Sequence, residues 1–424
     1  MIELKIEVEI DIMKCALRTL LALATCLAAA SVAMAQPAPI RFGLAMSQTG
    51  PLAGNGKALL IAMQMWVEDQ NAKGGLLGRK VELVSYDDQS QASNVPGLYS
   101  KLLDVDKVDI VMSGYGTNMA APAMPVVMQH DKVFMTTFVT GINEKFKYDR
   151  FFSIIPSGPN SRIELSRGYF DIAMAMNPKP TTVALAGADA EFSQVALDGA
   201  REHVKRLGLK VVYDKSYPPN TTDYAPVLRA IQATNPDFIF VASYPGDSSG
   251  LIRAANEIKL KTRLFGGGMI GVQFGALKGQ LGSLLNGVVS YDVYVPEPTM
   301  KFAGIDDLLT RYRVRAAKEG ADPVGIYGPP YAYAEMQVLG QAITAAGSLD
   351  QDKVAAAIKA NPHDTVVGTI KFGPDGEWEK SRLIYVQYQG IQGNDLDQFK
   401  QAGKQVILYP PEFKSGTLQT PFSR

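Results

Sequence analysis

The chain has 424 residues, 46% of them hydrophobic, with 42 basic against 42 acidic side chains and three histidines. A balance this close to neutral, with no basic block, gives no electrostatic case for nucleic acid or an anionic membrane surface. The length exceeds what one hydrophobic core ordinarily supports, so two lobes are expected.

The N-terminus reads as an export signal. Met13-Lys14 and Arg18 form a basic stretch, and the apolar run from Leu20 to Ala30 follows. That run is too short and too poorly flanked for a stable membrane span. It ends at Ala33-Met34-Ala35, a small-x-small cleavage site ahead of Gln36, so residues 1–35 are expected to be a leader and the product periplasmic. Residues Met1 to Ile12 alternate acidic and apolar, which suits no signal peptide. They read as an upstream start-site misassignment with Met13 as the initiator, the alternative being a genuine extended leader. Both cysteines, Cys15 and Cys26, fall inside the leader. Leu23-Ala24-Thr25-Cys26 faintly resembles a lipoprotein box, but Thr25 is larger than the residue favoured there, so a free protein is expected. Removing the leader's three basic and four acidic groups leaves 39 basic against 38 acidic over 389 residues.

From Ile40 the pattern alternates strands and helices. Ile40 to Ala45 predicts a strand, and Asn55 to Asn71 a helix with Ala58, Leu59, Ala62, Met65 and Trp66 on one face, stopped by Gly74-Gly75. Val81 to Tyr86, Ile110 to Met112 and Val133 to Met135 predict further strands, with helices at Ala92–Asp104 and Ala120–His130. Repeated strand-helix-strand units at this spacing predict a parallel, doubly wound sheet. The pattern then restarts: helices at Arg162–Met176, Phe192–Leu207, Tyr224–Thr234 and Gly250–Lys259, with strands at Thr182–Ala186, Val211–Tyr213, Phe238–Ala242 and Arg263–Phe265. From about Val288 come helices at Ala303–Glu319, Tyr331–Ala346 and Gln351–Lys359, then strands at Gly368–Phe372 and Ile384–Gln389. The Pro-, Ser- and Thr-rich end, 410–424, is expected to wander over the surface.

Catalytic signals are nearly absent. His130, His203 and His363 are isolated from acidic or cysteine neighbours at ligand spacing, and no HExxH, CxxC, Walker loop or G-x-S-x-G elbow occurs. Gly266-Gly267-Gly268 follows a strand without dinucleotide-binding spacing. Asp87-Asp88 lacks a third ligand and reads as a solvated turn or rim feature. No cofactor or metal is expected. More informative is Ser113-Gly114-Tyr115-Gly116-Thr117-Asn118, which joins a strand to a helix. Such a loop aims backbone N–H groups and a hydroxyl past the strand end, an arrangement that suits a carboxylate. Thr117 or Asn118 as an ordinary helix cap is the equal alternative.

Ser47-x-Thr49-Gly50-Pro51-Leu52-Ala53-x-x-Gly56 and Asn71-Ala72-Lys73-Gly74-Gly75-x-x-Gly78-Arg79 resemble the leucine/isoleucine/valine-binding protein family of ABC importers. Tyr86-Asp87-Asp88, Thr181–Phe192, Asn235-Pro236-Asp237 and Val367-Gly368-x-x-x-Phe372-x-x-x-Gly376 fit the same pattern. The resemblance spans nearly the whole chain after the leader. It implies an α/β fold of two Rossmann-like doubly wound lobes joined by three crossover strands, the type I periplasmic binding fold. One lobe is then expected from 36–156 with 291–366, and the other from 157–290 with 367–409.

Carried over, the family loop that grips a ligand carboxylate falls on Tyr115, Gly116 and Thr117. A second gripping loop falls on Val139, Thr140 and Gly141, with glycine where the family bears a hydroxyl and Thr140 as the substitute. Phe192 and Tyr244 take the place of the second lobe's aromatic wall, and Asn55 that of a side chain closing the pocket. The acidic residue that meets an amino acid's ammonium falls on Gly268. A buried ammonium without a carboxylate costs several kcal/mol, so an aromatic acid or a branched keto acid is favoured over an amino acid. Asp189, Glu191 or Asp247 remain candidates to restore the charge. The resemblance implies a binding protein and not an enzyme, a monomer that closes about a hinge and delivers its ligand to a membrane permease. A ligand sensor on the same fold is the rival reading.

Overall fold

Two runs of short, almost wholly apolar strands build two sheets. The computed structural model describes residues 13–18 and 37–423. The chain divides into two units, Met1–Pro39 and Ile40–Arg424. In the first, residues 13–18 are helical with Met13 and Leu17 exposed; the apolar run, the cleavage site and Cys26 lie outside the described residues. Among the described residues, no helix is long and apolar enough to cross a membrane.

In the second unit, β1 (Ile40–Met46), β2 (Val81–Asp87), β3 (Ile110–Tyr115), β4 (Phe134–Thr137) and β5 (Phe151–Ser153) form a parallel sheet in the order β2-β1-β3-β4-β5. Strands of this kind, covered on both faces, read as continuous apolar runs; every residue of β3 and β4 is buried. A second sheet collects β6 (Thr182–Ala188), β7 (Lys210–Tyr217), β8 (Phe238–Ser243), β10 (Leu264–Met269), β11 (Val288–Asp292), β14 (Ile384–Tyr388) and β15 (Gln405–Tyr409), in the order β15-β14-β11-β10-β8-β6-β7. Its first five strands in sequence run parallel, and β14 and β15 are antiparallel additions at one edge. Helices Ser161–Met174 and Glu191–Leu207 pack together on this sheet. Tyr169 and Phe170 meet Phe238 and Phe240 with ring centroids 5.5–6.2 Å apart, contacts that each add about 0.5–1.5 kcal/mol beyond burial.

Several boundaries differ from expectation, each for a local reason. The helix expected at 92–104 is a 3₁₀ turn, a short α-helix with Pro96 in its first turn, and a π segment at Lys101–Val105. That expected at 120–130 is divided by Pro122 and Pro125 into Thr117–Ala120, a 3₁₀ turn and Met124–Gln129, since proline removes a helix donor and clashes with the preceding turn. The strand expected to stop at Phe265 continues through Gly266-Gly267-Gly268. A Cβ on Gly266 would lie 1.8 Å from the Val289 carbonyl oxygen, and one on Gly267 would lie 2.6 Å from the Phe240 ring. Glycine is required there because both neighbouring strands approach too closely for a side chain.

The chain passes between the sheets three times. Ser153 N–H donates to the Gly376 carbonyl and Arg382 N–H to that of Pro156, so the first and third passes run side by side. The second follows β11, and the Tyr331 hydroxyl donates to its Val293 carbonyl. Helices Ile305–Glu319 and Pro329–Ala346 then pack on helix Ala53–Ala72, on the side of the first sheet. The expected divisions at 290/291 and 366/367 fall inside β11 and inside the hairpin of β12 (His363–Thr365) with β13 (Gly368–Ile370). Both elements complete their pairing before the chain crosses. The C-terminal segment is also more anchored than expected: β16 (Phe422–Ser423) pairs with β9 (Lys261–Thr262), and the buried Phe422 ring lies 4.9 Å from Phe265.

Candidate functional site

Loops at the C-terminal ends of the parallel strands of both sheets face one another, the usual location of ligands in open α/β sheets. They enclose a narrow pocket lined by Leu52, Tyr115, Gly116, Thr117, Asn118, Phe138, Thr140, Ile155, Phe192, Tyr244, Ile270, Tyr291 and Tyr327. None of these side chains carries a charge.

The loop after β3 turns sharply at Gly116, whose φ of 86° and ψ of 165° belong to glycine alone. Gly116 is itself the helix cap position and no side chain caps the turn. The Thr117 hydroxyl therefore serves no cap. It accepts from the Thr140 backbone N–H at 3.2 Å and lies 3.4 Å from the Thr140 hydroxyl. Both threonines are about 1% exposed, so two hydroxyls and the orphan N–H groups of a helical turn converge at one place. The loop after β4 bends through Phe138 (φ 57°) and Gly141 (φ 71°). A bulky residue in the left-handed region is strained, and here it sets the Phe138 ring 4.5 Å from Tyr327 and 5.9 Å from Tyr115.

From the second sheet, Phe192 and Tyr244 pack edge to face at 5.9 Å. The Tyr244 hydroxyl donates to Asn118 Oδ1 at 2.6 Å, and Phe192 N–H donates to the same oxygen at 3.2 Å. Asn118 follows β3, so this one amide bonds the two lobes across the pocket. On its outer side a wider cleft shares Leu52, Asn118 and Tyr244 with the inner pocket and opens past Asp247 and Arg253. A third phenol set lies inside: the Tyr291 and Tyr327 hydroxyls are 3.1 Å apart, and the Tyr115 phenol lies beside Tyr327 and Asn55. Burial pushes all of these phenols, and Tyr244, well above the usual tyrosine range, so they act as neutral donors.

Of the residues expected at the site, Tyr115, Gly116, Thr117, Thr140, Phe192 and Tyr244 come together on the lining. Asn55, Val139 and Gly268 stand behind it. Asn55 is in the first turn of helix Ala53–Ala72, buried beside the Tyr115 phenol. Val139 is wholly buried and its carbonyl accepts from Ser153. A Cβ on Gly268 would lie 3.7 Å from the Phe192 ring. None of the three acids considered as replacements lines the pocket. Glu191 pairs with Lys145 at 3.0 Å, and Asp189 accepts from Gln194. Asp247 lies under the Tyr217 and Tyr224 hydroxyls, where burial raises its carboxyl. Sequence reasoning missed Leu52, Asn118, Phe138, Ile155, Ile270, Tyr291 and Tyr327; Leu52 and Asn118 lay within segments already singled out.

Two α/β lobes meeting over an uncharged pocket at their strand ends define a ligand-trapping protein of the type I periplasmic binding architecture. The chain belongs to the periplasmic binding protein family, whose model matches residues 39–388. It is similar to Leu/Ile/Val-binding protein homolog 8 of Brucella abortus (strain 2308), 24% identical over 390 residues that cover 88% of this chain and 91% of the relative. Among solved structures it resembles the branched-chain amino acid substrate-binding protein LivJ of Streptococcus pneumoniae in complex with isoleucine (TM-score 0.71, 17% identity, 88% of this chain and 100% of the other). It equally resembles a solute-binding protein of an ABC transporter from Rhodopseudomonas palustris HaA2 in complex with p-hydroxybenzoic acid (TM-score 0.71, 20% identity, 84% and 95%).

Proposed function

We propose that the protein is the periplasmic solute-binding component of an ABC importer of the branched-chain amino acid type, and that its ligand is a small carboxylate without an ammonium group, an aromatic acid or a keto acid. The observation that carries the ligand class is the uncharged lining: no carboxylate faces the pocket, and the position behind Phe192 is Gly268. An ammonium enclosed there would lose its hydration against no counter-charge. A carboxylate instead meets the Thr117 and Thr140 hydroxyls and the N–H groups of the turn, while Phe138, Phe192 and Tyr244 offer faces to a ring. The first lobe receives the ligand, the second closes over it by hinge motion, and the closed form is read by a membrane permease. The export signal ending at Ala35 belongs to this reading; N-terminal sequencing of exported protein should begin at Gln36, and an acylated Cys26 would contradict it.

A hydrophobic amino acid is the second reading, favoured by the likeness to the isoleucine complex. A thermal-shift panel of leucine, isoleucine, valine, their keto acids and simple benzoates separates the two. Stabilisation by the keto acids or benzoates supports the proposal, and stabilisation by the free amino acids alone refutes it.

A further inference from the structure

Phe138 is a buried aromatic residue in left-handed backbone, at φ 57° and only 5% exposed. Glycine enters that region freely, while a bulky residue there is an outlier. Among the described residues Leu77 is the other apolar one at positive φ, and it sits exposed in the tight turn between Leu76 and Arg79. Phe138 is instead held from both sides. Before it, Thr137 N–H donates to Ser113 Oγ at 2.9 Å, the Thr137 hydroxyl donates to Glu335 Oε2 at 2.6 Å, and the Thr137 carbonyl accepts from Gly116 N–H at 3.0 Å. After it, the Val139 carbonyl accepts from the Ser153 hydroxyl at 2.7 Å, and Thr140 N–H donates to Thr117 Oγ1 at 3.2 Å. Strained backbone that its surroundings over-determine is concentrated at functional sites. What this conformation fixes is the ring. It lies 4.5 Å from Tyr327 and 5.9 Å from Tyr115, both on the pocket lining, and 5.9 Å from Tyr331, which is wholly buried behind it. Tyr331 in turn bonds to Val293 of the second crossing and lies 6.3 Å from Trp378 beside the third. The Phe138 ring is therefore the partition between the pocket and the aromatic layer at the crossings.

We infer that Phe138 is the length gauge of the pocket: with the carboxylate fixed at Thr117 and Thr140, its ring sets how far the rest of the ligand can extend towards the crossings, so that short carboxylates are admitted and longer ones refused. An ordinary lining side chain would yield to a larger ligand by changing rotamer. This one has tyrosine rings around it and a backbone bonded on both sides, so extra ligand atoms meet a packed wall, and overpacking is itself costly. The inference rests on the ligand-class reading above and deepens it.

The test is calorimetric titration of the full protein, Phe138→Gly and Phe138→Ala with the rigid series benzoate, 4-methylbenzoate, 4-isopropylbenzoate and biphenyl-4-carboxylate, and in parallel with valine, leucine and phenylalanine. The wild type should bind the two longest acids at least about tenfold more weakly than benzoate. In the variants that ratio should move at least about tenfold in favour of the long acids. Equal affinities along the wild-type series overturn the gauge, as does a ratio unchanged in a folded variant, because lost packing alone weakens every acid alike. A second readout needs no ligand: glycine takes φ 57° without strain, so Phe138→Gly should melt no lower than Phe138→Ala, the reverse of the order in ordinary backbone. A lower Tm for the glycine variant overturns the strained backbone on which the ring's placement rests. If the acids fail to bind while the amino acids do, the ligand-class proposal has failed, and the gauge is judged on the phenylalanine-to-valine ratio in the same three proteins. Binding of neither series overturns both.

Discussion

On the proposed ligand class, substituting Gly268→Asp should shift the pocket's selectivity towards amino acids. Gly268 lies in β10, next to last, with extended backbone that any residue adopts. A Cβ at this position would lie 3.7 Å from each of Ala242 Cα, Val241 O and Phe192 Cζ, ordinary van der Waals contact, so the side chain enters without displacing backbone. Its carboxylate would then emerge beside Phe192, on the pocket wall. A charge-assisted hydrogen bond to an ammonium contributes about 1.5–3 kcal/mol, which is roughly a 10- to 150-fold tightening for leucine or phenylalanine. For a ligand bearing only a carboxylate the new charge repels: at about 6 Å and an effective dielectric constant of about 20 the interaction is about 3 kcal/mol unfavourable. The two effects act in opposite directions on one site, so the selectivity should shift by at least about two orders of magnitude. Titration calorimetry of leucine, phenylalanine and benzoate against the wild type, Gly268→Asp and the uncharged Gly268→Asn reads this directly. If Gly268→Asp folds but binds amino acids no better than Gly268→Asn, or if benzoate is weakened equally by both, the charge argument is refuted.

Thr117→Ala should weaken carboxylate binding by about 1.5–3 kcal/mol and also lower stability by about 1–3 kcal/mol, because it strips the Thr140 N–H of its buried acceptor; Thr117→Ser should restore both in calorimetry and thermal melts. Asn118→Ala removes the acceptor that joins Phe192 and Tyr244 to the first lobe. Small-angle scattering should then report a larger unliganded radius of gyration, with ligand affinity reduced roughly 5- to 30-fold. The pH dependence follows from Glu335, whose carboxyl burial pushes up to about 8 despite the Thr137 hydrogen bond. The folded state favours the protonated acid, so this stability is full below the ordinary carboxylate range and is lost as pH rises through about 8. Glu335→Gln should flatten the fall in Tm between about pH 5 and about pH 9, a slope of at most ~1.4 kcal/mol per pH unit for one group. An unchanged slope in the folded variant would show that the acid is already ionised.

The alternation of strands and helices was readable because the central strands hold uninterrupted apolar runs, as in Ile110 to Met112 and Phe238 to Ala242, and several long helices, such as Glu191–Leu207, Ile305–Glu319 and Pro329–Ala346, end at glycine. Short strands escaped detection. Phe151–Ser153 has three residues, and β11 and β15 are set among turns and polar residues, so pairing with an existing edge and not local pattern makes them strands. The triple glycine was legible as a break and is in fact a strand, since only the positions of Val289 and Phe240 reveal the close approach. At the site, the Thr117 loop stood out because it follows a strand, whereas the two aromatics of the second lobe came from the family resemblance. Tyr291 and Tyr327 were not, because they reach the pocket from segments near the second crossing, far from the gripping loops in sequence. Thr117 was read evenly as anion grip or cap; Gly116 takes the cap position and the Thr117 hydroxyl accepts from the Thr140 N–H instead.

The central claim, that the pocket takes a carboxylate lacking an ammonium, is tested most directly by the molecule the protein carries from its own cell. Protein extracted from the periplasm without added ligand, desalted, denatured and analysed by mass spectrometry should release an aromatic acid or a keto acid in near-stoichiometric amount. Release of leucine, isoleucine, valine or another α-amino acid in that amount would contradict it.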